Sequence, residues 1–558
     1  MKRVDSTPAS VTAPATASDL SNADARSDAR WRLLGRLFLG FVLALRVATF
    51  LDYGVTWDEA TERRNGSLTV RWYASGMQDR AFLGERDQYL YGSLFNVLVR
   101  PICRHSPLGY YDTQHLLITL AGFLATVAAY ATATHLAGPL AGLLAAVFLT
   151  LTPSFYGHSF NNPKDIPFAA LYALAVLLLV RAVGRPLGYG GVAALGAAIG
   201  LLAGVRMIGL AILGLAVPLV ILLWRRTPPR AAGQTRSLLR LALMLGMLCL
   251  LAWGVMLVWY PYVQLAPITH TWEVLRGSGH FSWWSRTTLF NGQEYRPGDL
   301  PRAYVPMWLA MTTPEFYLVA LGCGGLLLMS RLRALPPLTD TVVRVSVVLL
   351  AVVAPLTAAV VLRPVIYDGI RHLLFVLPAL AALAGAALAF FVRRATRVWR
   401  IVVMALVVAG VAVTATDMVA LHPYQYVYFN RLVGGGLPQA AGRFETDYWG
   451  VSYKEALRWL GDHYRFSAGP IRVANCSEEF LTAYELGKTD GFGQRFESVA
   501  SMDSADVVLA TTRWNCHRAQ AGRVLHVVQR QGVGLCYVIE RHAPAPAGPA
   551  ATQTRGSS

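Results

Sequence analysis

Residues 31–51 read WRLLGRLFLGFVLALRVATFL, and a few positions further on residues 56–60 read TWDEA. The first run is apolar and long enough for one helical crossing of a bilayer core, which takes about 20 residues. The second stretch sets two adjacent carboxylates, Asp58 and Glu59, at the mouth of that helix. Ionisable groups held near lipid are costly, and those that persist usually face a cavity and mark a functional site. The competing reading is the solvated start of a loop.

The rest of the chain repeats the first run's pattern. Of its 558 residues 54% are hydrophobic and only 15% charged, with mean hydropathy +0.42; soluble domains carry roughly 25% charged residues. Many apolar runs reach spanning length, so the fold class is mainly α, a polytopic transmembrane bundle. The net charge of +18 is mostly arginine. Those arginines cluster between apolar runs, as the positive-inside rule requires, and this argues against nucleic acid as a partner. A basic face also attracts membrane lipids or a phosphate-bearing substrate. Residues 1–28 read as a disordered cytoplasmic tail. No apolar h-region follows Met1-Lys2-Arg3, so the first span is expected to be an uncleaved anchor. The cysteines form no metal motif. Cys249 and Cys323 lie in apolar runs, and one disulfide among Cys476, Cys516 and Cys536 is compatible with an extracytoplasmic C-terminus, its pairing left open.

Eleven membrane helices are predicted, at 31–51, 116–135, 138–156, 166–183, two within 190–224 split near Gly204-Val205-Arg206, then 240–259, 306–330, 343–362, 371–392 and 401–419. Loops 52–114 and 260–304 separate them, and Gly157–Asp165 reads as a turn. With the N-terminus cytoplasmic, Arg32, Arg36, Arg181, Arg185, Arg225, Arg226, Arg331, Arg393 and Arg394 fall inside; the arginines of 260–304 do not obey the rule. The acidic pair, the Asn162-Pro163-Lys164-Asp165 turn, Arg206 and Tyr367-Asp368-Gly369-Ile370-Arg371-His372 then fall together on the outer side. The aromatic run Tyr424-Gln425-Tyr426-Val427-Tyr428 suits headgroup level. Residues 29–420 form the transmembrane domain. Residues 421–542 form a small periplasmic α/β domain, with a helix at 452–464 and strands at 471–474, 506–510, 524–528 and 536–539. Residues 543–558 are expected to be disordered.

This outer face suits glycosyl transfer from a lipid-phosphate sugar. An acceptor hydroxyl loses its proton as it attacks the anomeric carbon, and a carboxylate in reach can take it. The phosphate leaving group needs cations more than an acid. Asp58 and Glu59 are the catalytic candidates. On a helix neighbours point about 100° apart, so they cannot share one role, and Asp58 is favoured as the base. Lys164, Arg206, Arg371 and His372 are candidates for the donor phosphate, and Asp165, Tyr367, Asp368 and His280 for substrate contact. Three have a stated structural alternative: Lys164 snorkelling from a helix end, Arg371 paired with Asp368, and His280 as a structural residue. No metal-ligand spacing is present.

The residues Trp57-Asp58-Glu59 in a long first loop, the multi-helix core and the outer C-terminal domain resemble the GT-C membrane glycosyltransferases, and glycosyltransferase family 39 in particular. That family includes protein O-mannosyltransferases and lipid A aminoarabinose transferases. Asn161-Asn162-Pro163-Lys164-Asp165-Ile166-Pro167-Phe168-Ala169 looks like a stretch in bacterial members. The resemblance covers roughly residues 31–420. It implies a bacterial inner-membrane enzyme with a polyprenyl-phosphate sugar donor, a lipid, glycan or protein acceptor at the periplasmic face, Asp58 in the catalytic role, and for some members a divalent cation such as Mg or Mn. The His-Pro-Pro-type stretch of many members is absent. The corresponding region reads Arg86-Asp87-Gln88-Tyr89-Leu90-Tyr91-Gly92-Ser93, which argues against a protein O-mannosyltransferase. Two rival functions are a transporter or flippase of lipid-linked sugars, for which no internal repeat is evident, and a non-catalytic scaffold.

Overall fold

The computed structural model of the protein describes residues 17–85, 87–227, 237–277, 286–331, 337–464, 470–488 and 492–541. Among the described residues, eight helices are long and apolar enough to cross a membrane: Ala25–Asp52, Tyr110–Ala137, Asp165–Ala182, Met207–Arg226, Leu238–Leu257, Asp340–Leu362, Arg371–Arg394 and Arg397–Leu421. A bent pair, Pro139–Thr150 and Pro153–Asn161, turns through 68° at its break, and Tyr189–Ala203 and Glu315–Leu326 are shorter apolar helices. The protein is therefore a multi-pass membrane protein whose apolar runs all lie on helices.

Proline sets the differences from the expected boundaries. Pro153 starts a new helix and ends the preceding one, so Gly157–Asn161 is helical and the turn shrinks to Asn162–Lys164. Pro314 forces Thr313 into an extended conformation and splits the 306–330 run into Tyr304–Thr312 and Glu315–Arg331. The break expected near Gly204 is present, between Tyr189–Ala203 and the short 3-10 helix Met207–Ile212. At the N-terminus the first helix reaches back to Ala17 and takes in much of the stretch read as a disordered tail. The stretch is rich in alanine, the best helix former, and it propagates from a helix already nucleated by the membrane span. Residues 1–16 and the 543–558 tail lie outside the described residues.

Small residues let the helices approach. A Cβ on Gly385 would stand 2.7 Å from the Ala141 carbonyl, so the Leu377–Arg394 and Pro139–Thr150 helices touch backbone to backbone. At one end of the bundle arginines close the helix ends: Arg344 donates to the Val183 carbonyl at 2.8 Å and Arg240 to the Leu187 carbonyl at 3.2 Å. The other end carries the first loop, which contains real helices, Trp57–Ala74 and Leu94–His105.

On that second end sits a five-stranded sheet in the order Phe496–Ser498, Ile471–Asn475, Val507–Thr511, Val533–Glu540, Arg523–Arg530. The first two pairings are parallel and the last two antiparallel. Cys476 and Cys516 form a disulfide, and Cys536 is buried in the sheet with a free thiol. Lys454, from the helix Tyr453–His463, donates to the carbonyls of Leu51 (2.6 Å) and Tyr53 (3.0 Å), seating the sheet region on the end of the first span. Tyr424, Tyr426 and Tyr428 are buried in this junction and do not lie at a headgroup surface; their hydroxyls donate to Glu455, Asp447 and Glu315.

Candidate active site

The helix Trp57–Ala74 is started by Thr56 and Glu59 acting on each other. The Thr56 backbone N–H donates to Glu59 Oε2 at 2.7 Å, the capping-box arrangement. The other Glu59 oxygen lies 2.9 Å from His115 Nε2. Burial pushes the Glu59 carboxyl up, and His115 and Thr56 oppose it. Glu59 is thus occupied in holding the helix start.

Asp58 points the other way, as the helical turn requires. Its Oδ2 lies 2.5 Å from Arg371 Nη1, and its side chain is 29% exposed. Burial by itself would raise the Asp58 carboxyl. Arg371 first, then Lys164 and Arg206, outweigh this and hold it below its ordinary value.

Those cations come from the ends of three different spans. Lys164 and Asp165 stand at the start of Asp165–Ala182, Arg206 just before Met207–Arg226, and Arg371 at the start of Arg371–Arg394. Asn162 shapes the first of these. Its Oδ1 accepts the Asp165 N–H at 2.8 Å and its Nδ2 donates to Asp165 Oδ2 at 2.9 Å. Each cation has a resident carboxylate: Lys164 pairs with Glu62, Arg206 with Asp165, and Arg371 with Asp58. Arg371 Nε also lies 3.3 Å from Asp368, so the expected Asp368–Arg371 pair exists beside the contact to Asp58. Tyr91 forms a floor, with Lys164 Nζ 3.9 Å and the Arg206 guanidinium carbon 5.8 Å from its ring centroid. Tyr367 packs edge-on against His372 at 4.9 Å and lies 4.9 Å from the Arg371 guanidinium carbon. His372 is in the same field, with Arg371, Arg206 and Lys164 all acting on it.

Asp58, Lys164, Asp165, Arg206, Tyr367, Asp368, Arg371 and His372 therefore converge on one place. Glu59 is adjacent but turned away, and His280 lies outside the described residues. Three members of the cluster were not singled out in the sequence. Glu62 was legible, one helical turn beyond Asp58 and so on the same face. Tyr91 sat in the stretch quoted for its departure from the family pattern. Arg513, which contacts Asp368 from the sheet region, had no local signal. Among the described residues no group of three or more His, Cys, Asp or Glu is arranged to hold a metal ion, and the cluster's carboxylates face lysine or arginine. These residues do not fit a divalent cation. The arrangement offers instead a carboxylate beside cations that can exchange their carboxylate partners for an anionic ligand.

Residues 114–259 match the family model described as dolichyl-phosphate-mannose-protein mannosyltransferase. The matched segment carries Lys164, Asp165 and Arg206, and it bears out the GT-C, glycosyltransferase family 39-like resemblance. The chain is similar to ArnT from Cupriavidus metallidurans bound to undecaprenyl phosphate, at 17% identity over 91% of this chain and 97% of that one, TM-score 0.47. It is also similar to the archaeal oligosaccharyltransferase AglB from Archaeoglobus fulgidus, in complex with an inhibitory peptide and a dolichol-phosphate, at 12% identity over 85% of this chain and 65% of that one, TM-score 0.44. No curated protein matches the sequence.

Proposed function

We propose that the protein is a glycosyltransferase that moves a sugar from a polyprenyl-phosphate donor to a lipid, glycan or protein acceptor at the periplasmic face of the inner membrane. In this reading the N-terminus is cytoplasmic and the sheet region periplasmic. The observation that carries it is the convergence of Asp58 with Lys164, Arg206 and Arg371 where span ends meet. The family description, with its dolichyl-phosphate sugar, supports the donor class.

The charge arrangement suggests the order of events. Without donor, Arg371 holds Asp58 ionised and weakly basic. A donor phosphate drawn to Lys164, Arg206 and Arg371 competes for Arg371 and raises the proton affinity of Asp58. The acceptor oxygen then bonds to the anomeric carbon, its proton passes to Asp58, and the bond from that carbon to the phosphate oxygen breaks with its electron pair. The cations stabilise the phosphate that leaves. The test is transfer of label from a panel of polyprenyl-phosphate sugars into an envelope extract by purified protein. Label moving with wild type and falling about 10²- to 10⁴-fold with Asp58→Asn is the expected result. Equal transfer by both proteins overturns the assignment.

A further inference from the structure

We infer that Arg513, on a turn of the C-terminal sheet region, is a positioning residue for Asp58 and that the Cys476–Cys516 disulfide holds that turn in place. The inference rests on the reading of Asp58 as the base. Arg513 reaches the cluster from the end of the strand Val507–Thr511 and is buried. Its Nη2 lies 2.5 Å from Asp368 Oδ1 and its Nη1 donates to the Tyr448 carbonyl. Asp368 in turn meets Arg371, which meets Asp58. An unbroken chain of alternating charges, Arg513–Asp368–Arg371–Asp58, thus joins the sheet region to the first loop.

Arg513 also touches the residue beside Asp58. Its guanidinium carbon lies 4.3 Å from the Trp57 ring centroid and 4.5 Å from that of Trp514. Arg513 therefore fixes the start of the Trp57–Ala74 helix by stacking and the Asp58 partner by charge, two routes to one carboxylate.

The turn that presents Arg513 is tightly determined. Trp514 and Asn515 both adopt left-handed backbone, at φ 51° and 56°. Single non-glycine residues rarely take this conformation unless their surroundings impose it. The next residue, Cys516, is bonded to Cys476 at the end of the neighbouring strand, and Thr512 Oγ1 lies 3.0 Å from Thr446 Oγ1. The Trp514 indole donates to the Thr287 carbonyl at 3.0 Å.

Loss of Arg513 has a signed consequence. Asp368 faces Arg513, Arg371 and Asp58, with Glu445, Tyr304 and Tyr448 in the same electrostatic field. Burial raises its carboxyl, and Arg513 and then Arg371 oppose this. Without Arg513, Asp368 takes up a proton at higher pH and releases its hold on Arg371. Activity is then lost at higher pH than in wild type.

The experiment measures transfer against pH for wild type, Arg513→Ala, Arg513→Lys, Asp58→Asn and Cys476→Ser/Cys516→Ser, the last also combined with Arg513→Ala. Arg513→Ala is expected to lower kcat about 10- to 100-fold and to move the acid limb up by about one pH unit. Arg513→Lys restores the limb. The cysteine variant loses activity by itself but adds no loss to Arg513→Ala. An Arg513→Ala profile reduced in height with its limb unmoved means a structural role only and overturns the positioning role. Additive losses overturn the disulfide's part. If Asp58→Asn works like wild type, the reading of Asp58 falls and this inference with it. If Asp58→Asn is inactive while Arg513→Ala is normal, the inference alone falls.

Discussion

Replacing Arg371 by methionine removes a side chain that touches both Asp58, at 2.5 Å, and Asp368, at 3.3 Å. Two effects add. In the proposed transfer, the first is the loss of a cation from the leaving phosphate. Removing a single preorganised stabilising donor costs about 10²- to 10³-fold in rate, roughly 3–4 kcal/mol of barrier. The second is on Asp58. Arg371 is the largest of the groups holding its carboxyl down, because an opposite charge in contact favours the ionised form. Lys164 and Arg206 remain, so part of the downward pull on the carboxyl is kept. The sign is fixed. With Arg371 gone Asp58 protonates at higher pH, and the acid limb of the rate profile moves up. The fold survives because the buried Asp368 keeps Arg513. Arg371→Lys returns the charge but not the forked contact to two carboxylates, and so recovers part of the rate. The assay is transfer from a labelled polyprenyl-phosphate sugar, with wild type and both variants, from acid to mildly alkaline pH. A methionine variant within a few-fold of wild type, or slow with an unmoved acid limb, refutes the reasoning.

The neighbouring acid behaves differently. Glu59→Gln keeps a capping side chain but loses the charge facing His115, so the melting temperature falls while kcat stays within a few-fold, both measurable on one preparation. Glu445 is buried beside Arg513, and burial pushes its carboxyl from 4.5 up to about 8. Between those values the folded protein keeps a proton that the unfolded chain has released, so stability falls as pH rises through that window. Glu445→Gln removes this slope, and its melting temperature gains on wild type from the acid to the alkaline side; parallel curves would contradict the assignment. A Cβ on Gly92 would lie 2.0 Å from the Gly204 carbonyl oxygen. Gly92→Ala therefore costs about 1–3 kcal/mol of stability, and by displacing the segment before Arg206 it weakens donor binding, read as a raised donor KM.

Much of this architecture was legible because a membrane imposes length and polarity on every span. The runs were placed by hydropathy, and the break at Gly204-Val205-Arg206 followed from a run, 190–224, too long for one crossing. The breaks at Pro153 and Pro314 were signalled by residues present in the sequence, yet unbroken apolarity outweighed them in the reading. The first-loop helices lack spanning hydropathy, so hydropathy alone does not distinguish them from loop. At the site, the divergence of Asp58 and Glu59 followed from helical geometry alone, and the same geometry pointed to Glu62. Arg513 was beyond reach, because its partner Asp368 lies 145 positions away and only tertiary folding brings them together. No local pattern encodes such a pair.

The proposed transfer turns on Asp58 acting on a bound lipid-phosphate donor. The most direct measurement is a single turnover with donor already bound, comparing wild type with Asp58→Asn after donor affinity has been measured for each. Asp58→Asn is expected to bind the polyprenyl-phosphate sugar at least as well as wild type, since Arg371 is freed for the phosphate, and to fail to pass the sugar to acceptor. Transfer at the wild-type rate from the same bound donor would contradict it.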